Sequence, residues 1–272
     1  MSSSQKIQIQ QGLEGKHLDV VDQYRDVLPN FIIIGAAKSA TTTLTTILPK
    51  HPDIFISKPK EPKFFGLNYN RGWEWYASLF MPGKSLAARG EASTMYASRL
   101  IKYNNTAELM HLYLPKLKLI YIVRHPLDRI VSQWRHRKGR NPNTPDFNVA
   151  MKNPYYQRLI IGCSMYYKRL SEFRKFYPDE QIHCLTFEDL LNRPRHTLKK
   201  ILLFLEVDQR HENMLNQDKK VPLVNEAGEK GREYVEKPEW VEEIKEEVVK
   251  KIRPDARKML AYMGKPRTYW KI

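Results

Sequence analysis

The chain has 272 residues, and its 46 lysines and arginines against 30 aspartates and glutamates give a formal net charge of +16. This excess indicates an acidic partner, such as a nucleic acid, an anionic membrane, a polyanionic sugar or a nucleotide, without choosing among them. No stretch reaches the roughly 18 apolar residues of a membrane span, no signal-peptide core is present, and the two cysteines lack a pairing or metal-ligand spacing, which together predict a soluble cytoplasmic protein.

Residues 1–28 are polar without a sustained period, which predicts a flexible N-terminal arm ahead of a single domain over residues 29–272. The domain alternates strand and helix patterns, which are typical of a P-loop-like α/β fold with a central, mostly parallel sheet between two layers of helices. Strands are predicted at 31–34, 54–56, 86–91, 117–123 and 181–187. Helices are predicted at 42–48, 72–80, 98–113, 126–138, 155–177, 188–191, 197–205 and 238–263.

The segment after the first strand has the composition of an anion-binding loop. Gly35 ends the apolar run and is followed by Ala-Ala-Lys-Ser-Ala-Thr-Thr-Thr, which predicts a tight loop and the start of a helix. Such a turn directs backbone N–H groups at one point, and Lys38 adds a full positive charge there. The lysine comes earlier than in a nucleotide-triphosphate loop, and Ala40 stands where glycine is expected. An ordinary turn with a surface lysine is the alternative.

Glu61 lies between Pro59 and Pro62, which exclude a regular helix and hold the glutamate on a rigid loop. A carboxylate held in this way is suited to act as a general base. The alternative is a solvated surface glutamate that pairs with its lysine neighbours.

An aromatic-rich segment follows at 72–80. Trp73 and Trp75 are two residues apart, so they cannot both face one core from a single helix. One of them is therefore a candidate wall of a substrate cleft, although ordinary packing explains it equally well. The candidate substrate-binding residues of this region are Tyr69, Trp73, Trp75, Tyr76, Glu91 and Tyr96.

The strand at 117–123 is almost continuously apolar, as buried parallel strands are. It leads into Arg124 and a basic helix, so that residues 116–140 contain eight lysines and arginines against one acid, Asp128. Because ligands of open α/β sheets bind at the carboxyl ends of the strands, the cluster predicts a second anion site. Ser132 lies two helical turns beyond Arg124, and the alternative is a solvated basic face.

Residues 207–236 form a long predicted loop, and long loops in compact domains usually serve as lids or binding loops. Lys230-Gly231-Arg232 places two cations around a flexible glycine. This pattern suits a phosphate clamp and equally an exposed turn.

Taken in order, these segments resemble the PAPS-dependent sulfotransferases, nearest the heparan-sulfate glucosaminyl sulfotransferase branch and its bacterial relatives. The resemblance runs from about Phe31 to Trp270, and the ordered set of motifs carries it. PAPS, 3′-phosphoadenosine 5′-phosphosulfate, is the sulfuryl donor of that family, and PAP is the product. The resemblance thus implies an enzyme that moves a sulfuryl group to a hydroxyl or amine of a small-molecule or carbohydrate acceptor.

The resemblance also implies residue roles. Lys38 contacts the transferring group, and Glu61, within Lys60-Glu-Pro-Lys-Phe-Phe65, is the catalytic base. Arg124 and Ser132, the ends of Arg124-His-Pro-Leu-Asp-Arg-Ile-Val-Ser132, bind the 3′-phosphate. The other donor-binding residues are Ser39, Ala40, Thr41, Thr42 and Thr43 at the 5′-phosphate, and Lys230, Gly231, Arg232 and Tyr234 over the 3′-phosphate and adenine.

The sequence departs from the family in one place. Sugar-modifying relatives typically have lysine after the glutamate that matches Glu91, and this chain has Ala92. The missing lysine weakens the case for an anionic glycan acceptor. The scheme needs no metal, and the sequence contains no metal-ligand cluster such as H-E-x-x-H or C-x-x-C.

Two other functions are open to a sequence of this kind. A P-loop kinase shares the strand, loop and helix, but it needs a magnesium-binding acid at a strand end, where this chain has Arg124. A non-enzymatic protein that binds nucleic acid or polyanions would use the basic cluster at 116–140, although none of the usual nucleic-acid motifs is present. The expected partners are a nucleotide and its acceptor, with no nucleic acid; the oligomeric state is not predicted.

Overall fold

The computed structural model describes residues 3–98, 105–222 and 234–272. Five parallel strands form its central sheet in the order β2-β3-β1-β4-β5. They are β1 (Phe31–Gly35), β2 (Ile54–Ile56), β3 (Ala88–Glu91), β4 (Lys118–Val123) and β5 (Ile182–Thr186). The predicted parallel α/β fold is confirmed, and each predicted strand lies within two residues of its observed bounds.

Twelve α-helices surround the sheet within the described residues. They are α1 (Ser3–Leu13), α2 (Leu18–Asp22), α3 (Thr41–Ile47), α4 (Gly72–Ser78), α5 (Thr106–Tyr113), α6 (Pro126–Lys138), α7 (Phe147–Lys152), α8 (Pro154–Leu159), α9 (Tyr166–Phe173), α10 (Phe187–Asn192), α11 (Pro194–Leu205) and α12 (Glu242–Tyr262). None of them combines the length and the apolar character that crossing a bilayer requires.

Both faces of the sheet are covered. Successive side chains of a strand point to opposite faces, and along β1 Ile32 and Ile34 pack into one apolar cluster while Phe31 and Ile33 pack into the other. The residues of β1 are all buried, and β4 is buried except at its first residue. Burial on both sides explains why these strands are almost continuously apolar.

The structure breaks the predicted helix at 155–177 into three pieces. Helix α8 ends at Leu159, a 3-10 turn spans Ile161–Ser164, and α9 begins at Tyr166. The apolar spacing continues across the break, so periodicity alone gave no sign of it.

Within the predicted flexible arm, the structure has helices at Ser3–Leu13 and Leu18–Asp22 with a turn between them. The Gln5 side-chain amide donates to the Leu67 carbonyl at 2.8 Å, and the Tyr113 hydroxyl donates to the Gly12 carbonyl at 2.7 Å. Val21 is fully buried. These contacts attach parts of residues 3–22 to the rest of the chain, while the flexible arm and the single domain stay predictions.

The strand order reverses around β1. From β1 the chain continues to β2 and β3 on one side of the sheet and later to β4 and β5 on the other. At such a switch point the loops that leave neighbouring strands diverge and open a crevice at their carboxyl ends. The segments that follow β1 and β4 leave the sheet at this edge and contain the residues of the two predicted anion sites, Lys38 to Thr43 and Arg124 with Ser132.

Candidate active site

The β1–α3 loop (residues 36–40) turns sharply into its helix. Lys38 and Ala40 both have positive φ angles, 72° and 68°, and the Leu44 N–H donates to the Ala40 carbonyl. The Ser39 hydroxyl is fully buried and has no hydrogen-bond partner among the described residues. A buried donor without a partner is costly, so this hydroxyl and the adjacent lysine suit a loop that receives an anion.

We expect Ala40→Gly to stabilise the protein. A left-handed conformation costs a residue with a Cβ about 1–2 kcal/mol, and glycine gives back about 0.5–1 kcal/mol of that gain through its greater freedom when unfolded. The net gain in the free energy of unfolding is about 0.5–1 kcal/mol, measured by urea denaturation. The control is Ala261→Gly on the exposed face of α12, which should cost about 1 kcal/mol. An equal loss of unfolding free energy in Ala40→Gly and Ala261→Gly would show that the positive φ angle of Ala40 carries no strain.

Glu61 is held by two neighbours. The Thr94 hydroxyl donates to Glu61 Oε1 at 2.8 Å, and Lys63 Nζ lies 3.3 Å from Oε2. The Glu61 side chain is 26% exposed, so its carboxylate remains accessible from outside. Thr94 belongs to the segment that leaves β3, so the fold itself fixes this carboxylate at the crevice.

Side-chain contacts bring the Glu61 loop and the β1–α3 loop together. Lys60 Nζ donates to Thr42 Oγ1, in the first turn of α3, at 2.6 Å. From the other side, His136 Nδ1 of α6 lies 3.4 Å from Lys38 Nζ. The structure therefore gathers a carboxylate, a lysine and a hydroxyl-rich helix start, which the sequence had placed in separate segments.

Arg124 follows the last residue of β4. Its Nε is buried without a hydrogen-bond partner in the described parts of the chain, and its guanidinium carbon lies 4.5 Å from the Phe187 ring centroid. The His125 N–H donates to Glu188 at 2.7 Å and fixes the turn into α6. Ser132 is half-buried on that helix. That Arg124 and Ser132 bind one phosphate stays a prediction.

Of the predicted loop at 207–236, the structure describes residues 207–222 and 234–236. Lys230, Gly231 and Arg232 lie outside the described residues. Tyr234 is 63% exposed, and the Arg135 guanidinium lies 5.7 Å from its ring centroid. Arg135 also donates to the Val235 carbonyl at 2.7 Å, so the end of this loop is attached to α6.

The residues of the predicted aromatic cleft differ in burial, and their role in substrate binding stays a prediction. Tyr69, Trp73 and Tyr76 are buried, and the Tyr76 ring stacks on Phe64 with centroids 4.2 Å apart. These rings pack against one another in the core, and Trp73 also borders a shallow hollow that Trp75 helps to line. Trp75 is only half-buried, and the Arg71 guanidinium stacks 3.9 Å from its centroid.

Tyr96 is also buried, although it borders a cavity of about 260 Å³ that Arg169 and Phe173 help to line. Its hydroxyl accepts from the Phe65 N–H at 3.2 Å. Tyr96 therefore belongs to the core and also contributes to the lining of this cavity.

Glu91 is fully buried, and its place among the candidate substrate-binding residues stays a prediction. The Tyr76 hydroxyl lies 3.5 Å from Glu91 Oε1, and Oε2 has no partner among the residues described. Burial raises the pKa of Glu91 to about 7; the nearby charge of Glu61 adds to the rise, and hydrogen bonds from Ser93, Tyr96 and Tyr76 oppose it. This carboxyl therefore titrates near neutral pH.

Ionisation of Glu91 should destabilise the fold. The folded state binds the proton more tightly than the unfolded state, because the pKa rises from its usual 4.5 to about 7. This contribution to stability is complete below pH 4.5 and is lost between about pH 4.5 and 7; at about 1.4 kcal/mol per pKa unit it amounts to roughly 3 kcal/mol.

As the pH rises, we therefore expect the free energy of unfolding to fall less in Glu91→Gln than in the natural protein. Between pH 5 and pH 8 the free energy of unfolding should fall by about 2–3 kcal/mol more in the natural protein than in the variant. Urea denaturation at both pH values measures the difference. Glu74→Gln, an exposed carboxylate of α4, is the control and should follow the natural protein. Parallel pH profiles for Glu91→Gln would refute the assignment.

Residues 28–263 match the family model described as a sulfotransferase domain. The chain is 26% identical to the membrane-associated sulfotransferase kil1 of Dictyostelium discoideum, over 66% of this chain and 56% of that protein. It is also 26% identical to heparan sulfate glucosamine 3-O-sulfotransferase 3A1 of Mus musculus, over 79% of this chain and 56% of that protein.

The fold has a counterpart among solved structures. The crystal structure of a sulfotransferase from Alicyclobacillus acidocaldarius matches with a TM-score of 0.69 and 24% identity, and the match covers 90% of this chain and 99% of that one. The match confirms the fold. The chain spans just over half the length of the kil1 and 3-O-sulfotransferase relatives.

Proposed function

The chain belongs to the sulfotransferase domain family, and from this premise we propose that it transfers the sulfuryl group of PAPS to a hydroxyl or amine of a small-molecule or carbohydrate acceptor. The observation that carries the proposal is the Lys60–Thr42 contact of 2.6 Å. It joins the loop of the candidate base, Glu61, to the helix start that would hold the donor. Neither the kinase nor the polyanion-binding alternative is favoured by a feature of this site.

The crevice residues fit a donor that carries one anionic group at each end. Ser39 Oγ and Arg124 Nε are both buried and without partners in the described chain, and each lies on one of the two predicted anion sites. When bound, PAPS supplies the sulfuryl group and a phosphate leaving group. Lys38, Ser39 and residues 40–43 would hold its 5′ end. Arg124 and Ser132 would hold the 3′-phosphate, with residues 230–232 and Tyr234 beside it.

Glu61 is the proposed general base. Thr94 and Lys63 fix its two carboxylate oxygens, so the side chain needs little rearrangement to accept a proton from the acceptor. Lys38, held beside His136, would stabilise negative charge on the departing phosphate oxygen. Catalysis in this scheme consists mainly of positioning and of charge stabilisation.

The acceptor class follows from less direct observations. Heparan-sulfate enzymes are among the relatives, but Ala92 replaces a lysine that sugar-modifying relatives typically carry. Of the aromatic residues proposed to bind an acceptor, Tyr69, Trp73, Tyr76 and Tyr96 are buried, and Trp75 is half-buried. We keep small molecules and carbohydrates as the proposed acceptors, and a cytoplasmic location as the proposed setting for a chain whose two cysteines are free.

Calorimetric titration with PAP in the absence of magnesium tests the proposal. We expect saturable binding that ADP and 5′-AMP do not match, because only PAP carries both phosphates in the required positions. Transfer from ³⁵S-labelled PAPS to a panel of amino sugars, hydroxyl glycans and phenols then defines the acceptor. No binding, or equal binding of ATP, would overturn the proposed function.

We expect Arg124→Ala to weaken the affinity for PAP by about 10- to 100-fold, as removal of a charged hydrogen bond does. Arg257→Ala, which removes an exposed arginine of α12, is the control and should bind PAP like the natural protein. Calorimetry measures both. Unchanged affinity in Arg124→Ala would remove this arginine from the second anion site.

A further inference from the structure

Arg129 is a fully buried arginine on α6 that has no role in the scheme above. Burial of a guanidinium is costly unless hydrogen bonds satisfy it, and buried arginines are usually paired with a carboxylate. Arg129 has hydrogen bonds but makes no ion pair with a carboxylate of the described residues. A positive charge is thus held in the interior without an opposite charge beside it.

The hydrogen bonds of Arg129 join three parts of the chain. Its Nε donates to Ser164 Oγ at 2.6 Å, and Nη2 donates to the Ile160 carbonyl. Its Nη1 donates at 3.3 Å to the carbonyl of Ala37, the residue before Lys38. The guanidinium therefore ties the β1–α3 loop to residues 160–166, here called the 160–166 segment.

The 160–166 segment is also anchored by a contact that does not involve Arg129. The hydroxyl of Tyr166, which is fully buried, donates to the Arg124 carbonyl at 2.8 Å. This segment is where the predicted long helix breaks. The break leaves the Ile160 carbonyl and the Ser164 hydroxyl available as acceptors for Arg129.

Resting on the proposed function, we propose that Arg129 is a positioning residue for the sulfuryl donor. It holds the β1–α3 loop on the 160–166 segment and places a fixed positive charge behind that loop. The planar guanidinium can serve three acceptors in separate directions, and a lysine ammonium at the same place cannot reproduce this geometry. The charge favours an anion on the far side of the loop, because a charge in the interior is weakly screened.

Arg129→Lys tests the geometry while keeping the charge. We expect its affinity for PAP to fall by about 10- to 100-fold, the loss typical of charged hydrogen bonds. Ser164→Ala leaves the arginine in place and removes one acceptor, so its affinity should fall by about 3- to 10-fold. Arg257→Ala is the charge-removing control on α12. Calorimetry gives the affinities, and urea denaturation shows that each variant is folded.

A second ligand separates positioning from a general structural role. Adenosine 3′-phosphate lacks the 5′-phosphate that the β1–α3 loop would hold, so its affinity should change by no more than about twofold in Arg129→Lys, as expected of independent sites. Equal losses for PAP and adenosine 3′-phosphate would overturn the proposal, and so would unchanged PAP binding. If Arg129→Lys does not fold, the affinities of Ser164→Ala for PAP and for adenosine 3′-phosphate test the proposal instead. Failure of the natural protein to bind PAP would overturn the proposed function and this inference together.

Discussion

Replacing Lys38 by alanine should lower the rate of sulfuryl transfer by about 100- to 1000-fold, the effect of removing one group that stabilises developing charge in a transition state. Lys38 is half-buried in the β1–α3 loop, and His136 lies beside its ammonium at 3.4 Å. Partial burial increases the strength of its interaction with an anion, because less water screens it. The loss should fall mainly on kcat, since negative charge on the leaving oxygen grows during the reaction.

The measurement is the release of PAP from PAPS with the best acceptor of the panel. Lys38→Met keeps the aliphatic stem and removes the charge, so it should be as slow as Lys38→Ala. Lys50→Ala removes an exposed lysine just beyond the opposite end of α3 and should leave the rate unchanged. If Lys38→Met retains most of the natural rate, the ammonium does not act on the reacting group.

The strands could be predicted because their burial requires a nearly continuous run of apolar residues. Both faces of β1 and β4 are covered, so nearly every residue of these strands is apolar, and turn residues mark where they end. Helix α6 was predicted from Pro126 to Lys138 because a proline in the first turn starts it and a glycine follows its end. Local chemistry determines these features, and a single sequence therefore contains them.

The packing of Tyr69 against the N-terminal helix could not be predicted from the sequence. A Cβ at Gly12 of α1 would clash with the Tyr69 hydroxyl, so the missing side chain permits the close approach. Neither segment alone reveals a contact between residues 57 positions apart in the chain, and the polar surface of α1 conceals its packing face.

The proposed role of Arg129 could not be predicted from the sequence for a similar reason. In the sequence it is one of eight cations between residues 116 and 140, and its neighbours on α6 give no sign that it is buried. Its acceptors lie in the β1–α3 loop and at a helix break that periodicity does not show. Predictions from local sequence patterns tend to fail at functional sites. The helix break after Leu159 lies beside the proposed donor site.

Replacing Glu61 by glutamine should lower kcat by about 100- to 10,000-fold, the range expected for loss of a general base, and leave PAP binding nearly intact. Glutamine keeps the size of the side chain, and its amide oxygen can still accept from Thr94, which donates to Glu61 Oε1 at 2.8 Å. It cannot take a proton from the acceptor. The loop and the Lys60–Thr42 contact should therefore survive while the chemistry does not.

This pattern distinguishes Glu61 from its neighbours. Glu74→Gln on α4 removes an exposed carboxylate and should keep the natural kcat. Glu91→Gln should make stability less dependent on pH, because it removes the buried carboxyl whose pKa is raised. Calorimetry gives the affinity for PAP and the release of PAP gives kcat, so donor binding and catalysis are measured separately in each variant. If Glu61→Gln turns over at the natural rate, another group removes the proton, and the carboxylate that Thr94 and Lys63 hold serves only to shape the loop.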